Sequence, residues 1–171
     1  MATKAIVLYP DPQLRQVCEP VKEITDEVRQ LLADMAETMY QKSGIGLAAN
    51  QVGRNIRAVV VDLGADEESG REASLYQVIN PTIVASVGSV ESEEGCLSIP
   101  GIREVIPRHA QVTVTGLDSD GREITIEADG LLAICFQHEI DHLNGVLFID
   151  HLSRLKRELA KSRYKKLSQK G

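Results

Sequence analysis

The chain has 171 residues, 43% of them hydrophobic, and a formal net charge of −6 at pH 7. That length and apolar content can bury a substantial core in one domain, residues 1–171, without disulfides or a structural metal. Its three cysteines are an odd number, no apolar run is long enough to span a bilayer, and the Met-Ala-Thr-Lys start carries no secretory apolar segment; a disulfide scaffold and a membrane protein are not expected, and a reducing, cytoplasmic location is.

Ile6-Val7-Leu8-Tyr9 reads as a short extended segment that Pro10 and Pro12 interrupt. From Thr25 onward, Val28, Leu31, Leu32, Met35, Ala36 and Met39 recur at spacings of three and four, which predicts a helix closed by Gly44 with its methionines in the core. Extended runs follow at residues 56–61, 75–79, 83–87 and 111–126, the last broken by a hairpin turn at Asp120-Gly121. Leu131, Leu132, Ile134, Cys135 and Phe136 then open a buried helix, with Asp129 as its expected N-cap and Gly145 as its stop. Residues 154–171 hold eight Lys/Arg and one Glu, a net of +7 that leaves −13 on residues 1–153. There Leu152, Leu155 and Leu159, followed by Tyr164 and Leu167, predict a terminal helix docked by its leucines. The same basic helix also offers a surface for an anionic partner. A strand-rich middle between helices gives an α+β fold, with mixed or antiparallel sheets packed around a central metal-binding helix and a further helix at each end. No internal repeat, low-complexity tract or linker is evident.

The chemistry is concentrated in His138-Glu139-Ile140-Asp141-His142. Successive helical side chains turn by ~100°, so His138 and His142 lie ~40° apart, one turn separated, and can bind one ion. Glu139 falls near the same face, where a carboxylate can take a proton from an activated water; this points to hydrolysis. The bland alternative is a core helix with two hydrogen-bonded histidines, but these are two of only four histidines in the chain, spaced around a glutamate.

Two imidazoles need a third ligand. A metzincin would place a histidine three residues after Gly145, where Phe148 stands, and the only later carboxylates are Asp150 and Glu158. The third ligand is therefore sought upstream. Cys135 lies ~7 Å along the helix axis from the level of an ion held by His138 and His142, and its side chain tilts toward the helix N-terminus, so it reads as pocket wall or core. Cys96 sits in Glu94-Gly95-Cys96-Leu97-Ser98-Ile99-Pro100-Gly101, where Gly and Pro impose an irregular backbone that can present a thiol. A Cys/His/His set leaves one position open, as catalysis requires; Cys96 as an ordinary buried cysteine is the alternative.

Gly44-Ile45-Gly46-Leu47-Ala48-Ala49-Asn50-Gln51 lacks the third glycine and the strand-before, helix-after context of a dinucleotide fingerprint. Its glycines permit close backbone approach, and Gln51 offers an uncharged amide donor suited to a developing oxyanion. These three segments, in this order and spread over most of the chain, resemble the three motifs of the peptide deformylase family. The resemblance implies that Cys96, His138 and His142 bind one divalent metal, natively Fe(II), with Zn(II), Ni(II) or Co(II) possible in a purified sample. It further implies that Glu139 is the acid/base and that Gln51 and the Leu97 N–H stabilise the oxyanion. The substrate would be the N-formylmethionyl end of a nascent peptide, in a slot walled by Ile45, Gly46, Glu94, Gly95, Leu131, Ile134 and Cys135. Ribosome contact through the basic helix is a further expectation; DNA and membrane partners are not expected.

His109 and His151 fall outside the ligand spacing and read as surface or locally bonded residues. Glu94 and Asp141 are either partners of the metal histidines or structural anchors paired with Arg108 or Arg103, the structural role being favoured. The competing functions are a metallopeptidase acting on unformylated peptides, which the absent downstream ligand disfavours, and a binding module braced by a metal, which would need a closed four-ligand site.

Overall fold

The stripe that begins at Val28 forms α1, Asp26–Gln41, in a computed structural model that describes residues 2–170. Thr25 caps it, its side chain accepting from Val28 N, and Asp26 and Glu27 in the first turn complement the helix dipole. At the other end the left-handed residue is Ser43 (φ 57°), one position earlier than expected, and the Gly44 N–H closes the helix on Met39 O at 2.9 Å.

Five strands form one antiparallel sheet in the order β1-β2-β3-β6-β7: β1 is Gly46–Ala48, β2 Ala58–Val61, β3 Tyr76–Val87, β6 Gln111–Leu117 and β7 Glu123–Asp129. β4, Val90–Cys96, and β5, Ile99–Arg108, pair separately as a hairpin. Every ladder is antiparallel, and the parallel pairing among the described residues is an isolated bridge from Glu19 to Ile56. The two runs expected at 75–79 and 83–87 are one strand, β3. Asn80 adopts φ 53° and the register against β6 shifts between Ile79 and Thr82, so a bulge accommodates Pro81, which has no N–H for the ladder.

β7 runs directly into α2, Gly130–Leu143, the central helix. Asp129 occupies its N-cap position, but its side chain makes no capping bond. The sheet is covered on both faces, and the two-residue period of β2 shows how: Val59 and Val61 join Ala133, Phe136, Ile140 and Leu143 of α2, while Ala58 and Val60 join Leu31, Leu32, Met35 and Met39 of α1. A further cluster unites Ile99, Ile102 and Ile106 of β5 with Phe148, Ile149 and Leu152 and with α3, Arg154–Lys170.

The docking of α3 differs from expectation. Ala160 and Tyr164 are buried, whereas Leu155 and Leu159 are 71% and 56% exposed and Leu167 is 42% exposed. Ala160 and Tyr164 share a face at i, i+4, and the stripe through Leu155 and Leu159 is turned away from it by roughly 100–180°. Tyr164 meets Tyr9 edge to face at 5.6 Å, which ties α3 to the N-terminal segment. Among the described residues no helix is long and apolar enough to cross a membrane.

Candidate active site

His138, Glu139 and His142 are all buried on α2, and the end of that helix is held from outside. Asn50 Nδ2 donates to His142 O at 2.6 Å, while Leu143 O accepts from Cys18 N at 2.8 Å and from Arg57 Nη1 at 3.1 Å. These bonds satisfy carbonyls that a helix terminus leaves unpaired. Gly145 follows at φ 74°, and a Cβ there would collide with the Arg15 carbonyl, so the stop read from sequence is also a packing requirement.

Cys96 ends β4, beside the tight turn into β5, and its Sγ lies 3.4 Å from His142 Nε2. One ligand atom from each of Cys96, His138 and His142 lies within 4.8 Å of the others. Ligand bonds of ~2.0–2.3 Å in a tetrahedral site set such atoms about 3.4–3.8 Å apart; the Cys96–His142 pair already stands at that spacing, and a small side-chain adjustment within the wider limit on the set would bring all three around one ion with one position open.

The tautomer of His138 follows from Glu94. Burial raises the Glu94 carboxyl, but hydrogen bonds from Arg108 and His138 and their charges outweigh it and bring it to about 2. Ionised, Glu94 can only accept, so His138 Nδ1, 2.9 Å from Glu94 Oε1, carries a proton; burial alone would lower this imidazole, but its bonds with Cys96 and Glu94 raise it well above its ordinary value, so an ion bound at Nε2 would displace a second proton. Burial, reinforced by the His138 charge, holds His142 well below the ordinary imidazole value, in the neutral form that a ligand needs. His142 Nδ1 and Glu139 Oε1 are buried without a partner among the described residues. Burial pushes the Glu139 carboxyl up to about 7, with His138 opposing and Glu94 adding to the rise.

Gln51 is tethered by its acceptor end: its Oε1 accepts from Ala48 N at 2.9 Å, and its Nε2 points to Ser98 Oγ at 3.1 Å and Cys96 Sγ at 3.5 Å. The amide donor therefore faces the Cys96 sulfur. A cleft of about 670 Å³ opens over this cluster. Ile45, Gly46, Gln51, Glu94, Gly95, Cys96, Leu97, Leu131, Ile134, Cys135, His138 and Glu139 all line it; His142, 1% exposed, is not on the wall and joins the site through its contact with Cys96. Cys135 is outside the ligand set and donates to Ile45 O at 3.6 Å.

At Gly46, β1 lies tight against α2. A Cβ would lie 2.5 Å from Glu139 Oε2 and 2.7 Å from Cys135 Sγ. Gly46→Ala is expected to part β1 from the helix or displace the carboxylate, at a cost of about 1–3 kcal/mol measured by denaturant unfolding. An unchanged unfolding midpoint would show that the contact yields freely.

Glu94 is both an anchor for Arg108 and the partner of His138, while Asp141 turns away from the histidines of its own helix to Arg108 Nη1 at 2.7 Å and His151 Nε2 at 2.8 Å. Sequence reasoning missed Asn50 and Ser98. Asn50 stands next to Gln51 in the glycine segment, but nothing local signals that it grips a carbonyl 92 residues away.

Three candidate ligand atoms under an apolar cleft, beside a buried carboxylate whose Oε1 has no partner, have the make-up of a metal-dependent hydrolase. The polypeptide deformylase family model matches residues 3–158. The peptide deformylase of Brucella suis biovar 1 (strain 1330) is 49% identical over 169 residues, covering 98% of this chain and 95% of that one. A crystal structure of a peptide deformylase from Legionella pneumophila superposes with a TM-score of 0.90 at 42% identity, covering 98% of this chain and 96% of the other. The Ehrlichia chaffeensis peptide deformylase, solved in complex with actinonin, gives a TM-score of 0.90 at 43% identity, with 97% and 98% covered. The chain belongs to the polypeptide deformylase family. It removes the N-formyl group from the N-terminal formylmethionine of newly made polypeptides and releases formate. The unformylated-peptide reading is not favoured.

Proposed function

We propose that Cys96, His138 and His142 hold the metal of this deformylase and that Glu139 carries the proton of the reaction. The observation that supports this most is Glu139 itself, buried on the cleft wall beside the ligand cluster with Oε1 unpartnered and a carboxyl raised to about 7. A carboxyl near neutrality can both take and give a proton at physiological pH. When bound, a divalent ion at these ligands supplies Lewis acidity toward the formyl oxygen and the attacking water. Glu139 takes the proton from that water and returns it to the departing α-amine. Charge gathers on the formyl oxygen, where the Gln51 amide and the Leu97 N–H donate. The methionine side chain lies against Ile45, Leu131, Ile134 and Cys135, while Gly46, Glu94 and Gly95 line the adjoining wall. A formyl carbon bears only hydrogen, so this cleft accepts it and excludes the bulkier acyl part of an internal peptide bond.

Fe(II) is the native ion in this reading, and one thiolate with two imidazoles also accepts Zn(II), Ni(II) or Co(II). Cys96→Ala and His138→Ala are each expected to weaken metal retention against a chelator by more than the roughly ten- to hundredfold typical of residues behind the ligands, measured by metal analysis of the dialysed protein. A variant that kept its metal would drop out of the ligand set.

The substrate is made where translation occurs, which supports a cytoplasmic location, and Cys18, Cys96 and Cys135 are free thiols. Contact with the ribosome through α3 is supported by its net positive charge and by Leu155 and Leu159, which stand exposed on it. Neutralising the exposed Lys156, Lys165 and Lys166 to Gln is expected to weaken co-sedimentation with ribosomes and flatten its salt dependence. Unchanged co-sedimentation would remove α3 from the interaction.

A further inference from the structure

We infer that Arg108 is a positioning residue of the deformylation reaction, fixing the His138 ring through Glu94 and the ligand-bearing helix through Asp141; the inference rests on the reading of Cys96, His138 and His142 as metal ligands. Arg108 closes β5 and does not line the catalytic cleft. Its side chain is only 3% exposed, yet no substrate contact accounts for burying a charge there.

Its partners account for it. Nε and Nη2 donate to the two oxygens of Glu94, each at 2.8 Å, in the planar fork that only an arginine forms with a carboxylate. The oxygen held by Nη2, Oε1, is the same one that receives His138 Nδ1 at 2.9 Å. The guanidinium thus sets the position of the carboxylate, and the carboxylate sets the rotation of the imidazole whose Nε2 faces the ligand cluster. On the other side Nη1 donates to Asp141 Oδ2 at 2.7 Å, and the same oxygen takes a bond from His151 at 2.8 Å. Glu94 stands two residues before Cys96 on β4, and Asp141 one residue before His142 on α2. One side chain therefore couples the strand that presents the thiolate to the helix that presents both imidazoles.

A merely structural ion pair would need neither the fork nor the shared oxygen. Lysine can supply the charge at this position but not two parallel bonds and a third at a fixed angle. Arg108→Lys therefore separates charge from geometry. The double variant Glu94→Gln/Arg108→Met removes both charges together, leaving no uncompensated carboxylate at Glu94, and keeps the test available should Arg108→Lys fold poorly.

The test uses Co(II)-loaded wild type, Arg108→Lys, the double variant and Cys96→Ala. It follows the cobalt ligand-field and thiolate charge-transfer bands, the cobalt dissociation constant by chelator competition, and kcat and KM on an N-formylmethionyl tripeptide. Arg108→Lys is expected to shift the ligand-field bands, weaken cobalt binding by about ten- to a hundredfold, and lower kcat more than it raises KM. The double variant is expected to give the same shifted bands, because Arg108 reaches His138 through Glu94. Lower thermal stability with unchanged bands, cobalt affinity and kcat would overturn the inference and leave Arg108 a brace. A thiolate band that persists in Cys96→Ala would instead overturn the ligand reading, and the inference with it.

Discussion

Glu139→Gln is expected to lower kcat for formate release by roughly 10²–10⁴ while the metal stays bound. The substitution preserves volume and shape, so the packing beneath Gly46 and the three ligand atoms are undisturbed. What it removes is the ability to accept a proton. The buried carboxyl, raised to about 7 with Oε1 unpartnered, is the group of the cleft poised to carry a proton both ways. Glutamine can do neither step, and its loss should fall on kcat rather than on KM, since the carboxylate acts as the proton moves and contributes little to holding the peptide. Measurement of formate release and metal content on the same preparation decides the matter. Activity within tenfold of wild type, with metal retained, would mean that another group moves the proton.

Gln51→Ala is expected to lower kcat by about 10²–10³, with KM nearly unchanged. Its side chain is 1% exposed and is anchored at Oε1 by the Ala48 N–H, so the Nε2 donor is already oriented before substrate arrives. Such preorganisation is what makes an oxyanion donor effective, because no reorientation is needed as charge develops. Gln51→Glu supplies the control: it keeps the length and the acceptor bond but places a negative charge where a donor is required, and it should be at least as defective as alanine. A rise in KM alone, with kcat preserved, would assign Gln51 to substrate binding and leave the oxyanion without this donor.

The parts of the fold that were legible in the sequence are those whose signal is local. Val28 through Met39 and Leu131 through Phe136 announce α1 and α2 by apolar side chains that fall on helical faces. The spacing of His138 and His142 is equally local, a matter of one helical turn, and the structure brings Cys96 beside them. Cys96 was legible from the glycine and proline around it, and Gln51 from its place after a glycine segment. β4 was not, because Val90-Glu91-Ser92-Glu93-Glu94-Gly95-Cys96 carries three acidic residues, and β5 was masked by Pro100, Gly101 and Pro107. Both belong to an isolated two-stranded hairpin, where pairing does not require an alternating apolar pattern on a long strand. The leucines of α3 misled because spacing shows that residues share a face but not which face docks; Ala160, small and easily overlooked, marks the buried one. The grip of Asn50 on His142 spans 92 residues and that of Glu94 on His138 spans 44, and contacts of that range are set by how the sheet and hairpin close around α2, which no local pattern records.

The most direct test is anomalous diffraction at the iron edge from crystals grown anaerobically. The prediction is a single strong anomalous peak per chain, within bonding distance (about 2.0–2.4 Å) of Cys96 Sγ and one ring nitrogen each of His138 and His142, with no fourth protein ligand. A peak bound elsewhere, or a fourth side chain closing the site, would contradict the assignment of these three residues as an open catalytic metal centre.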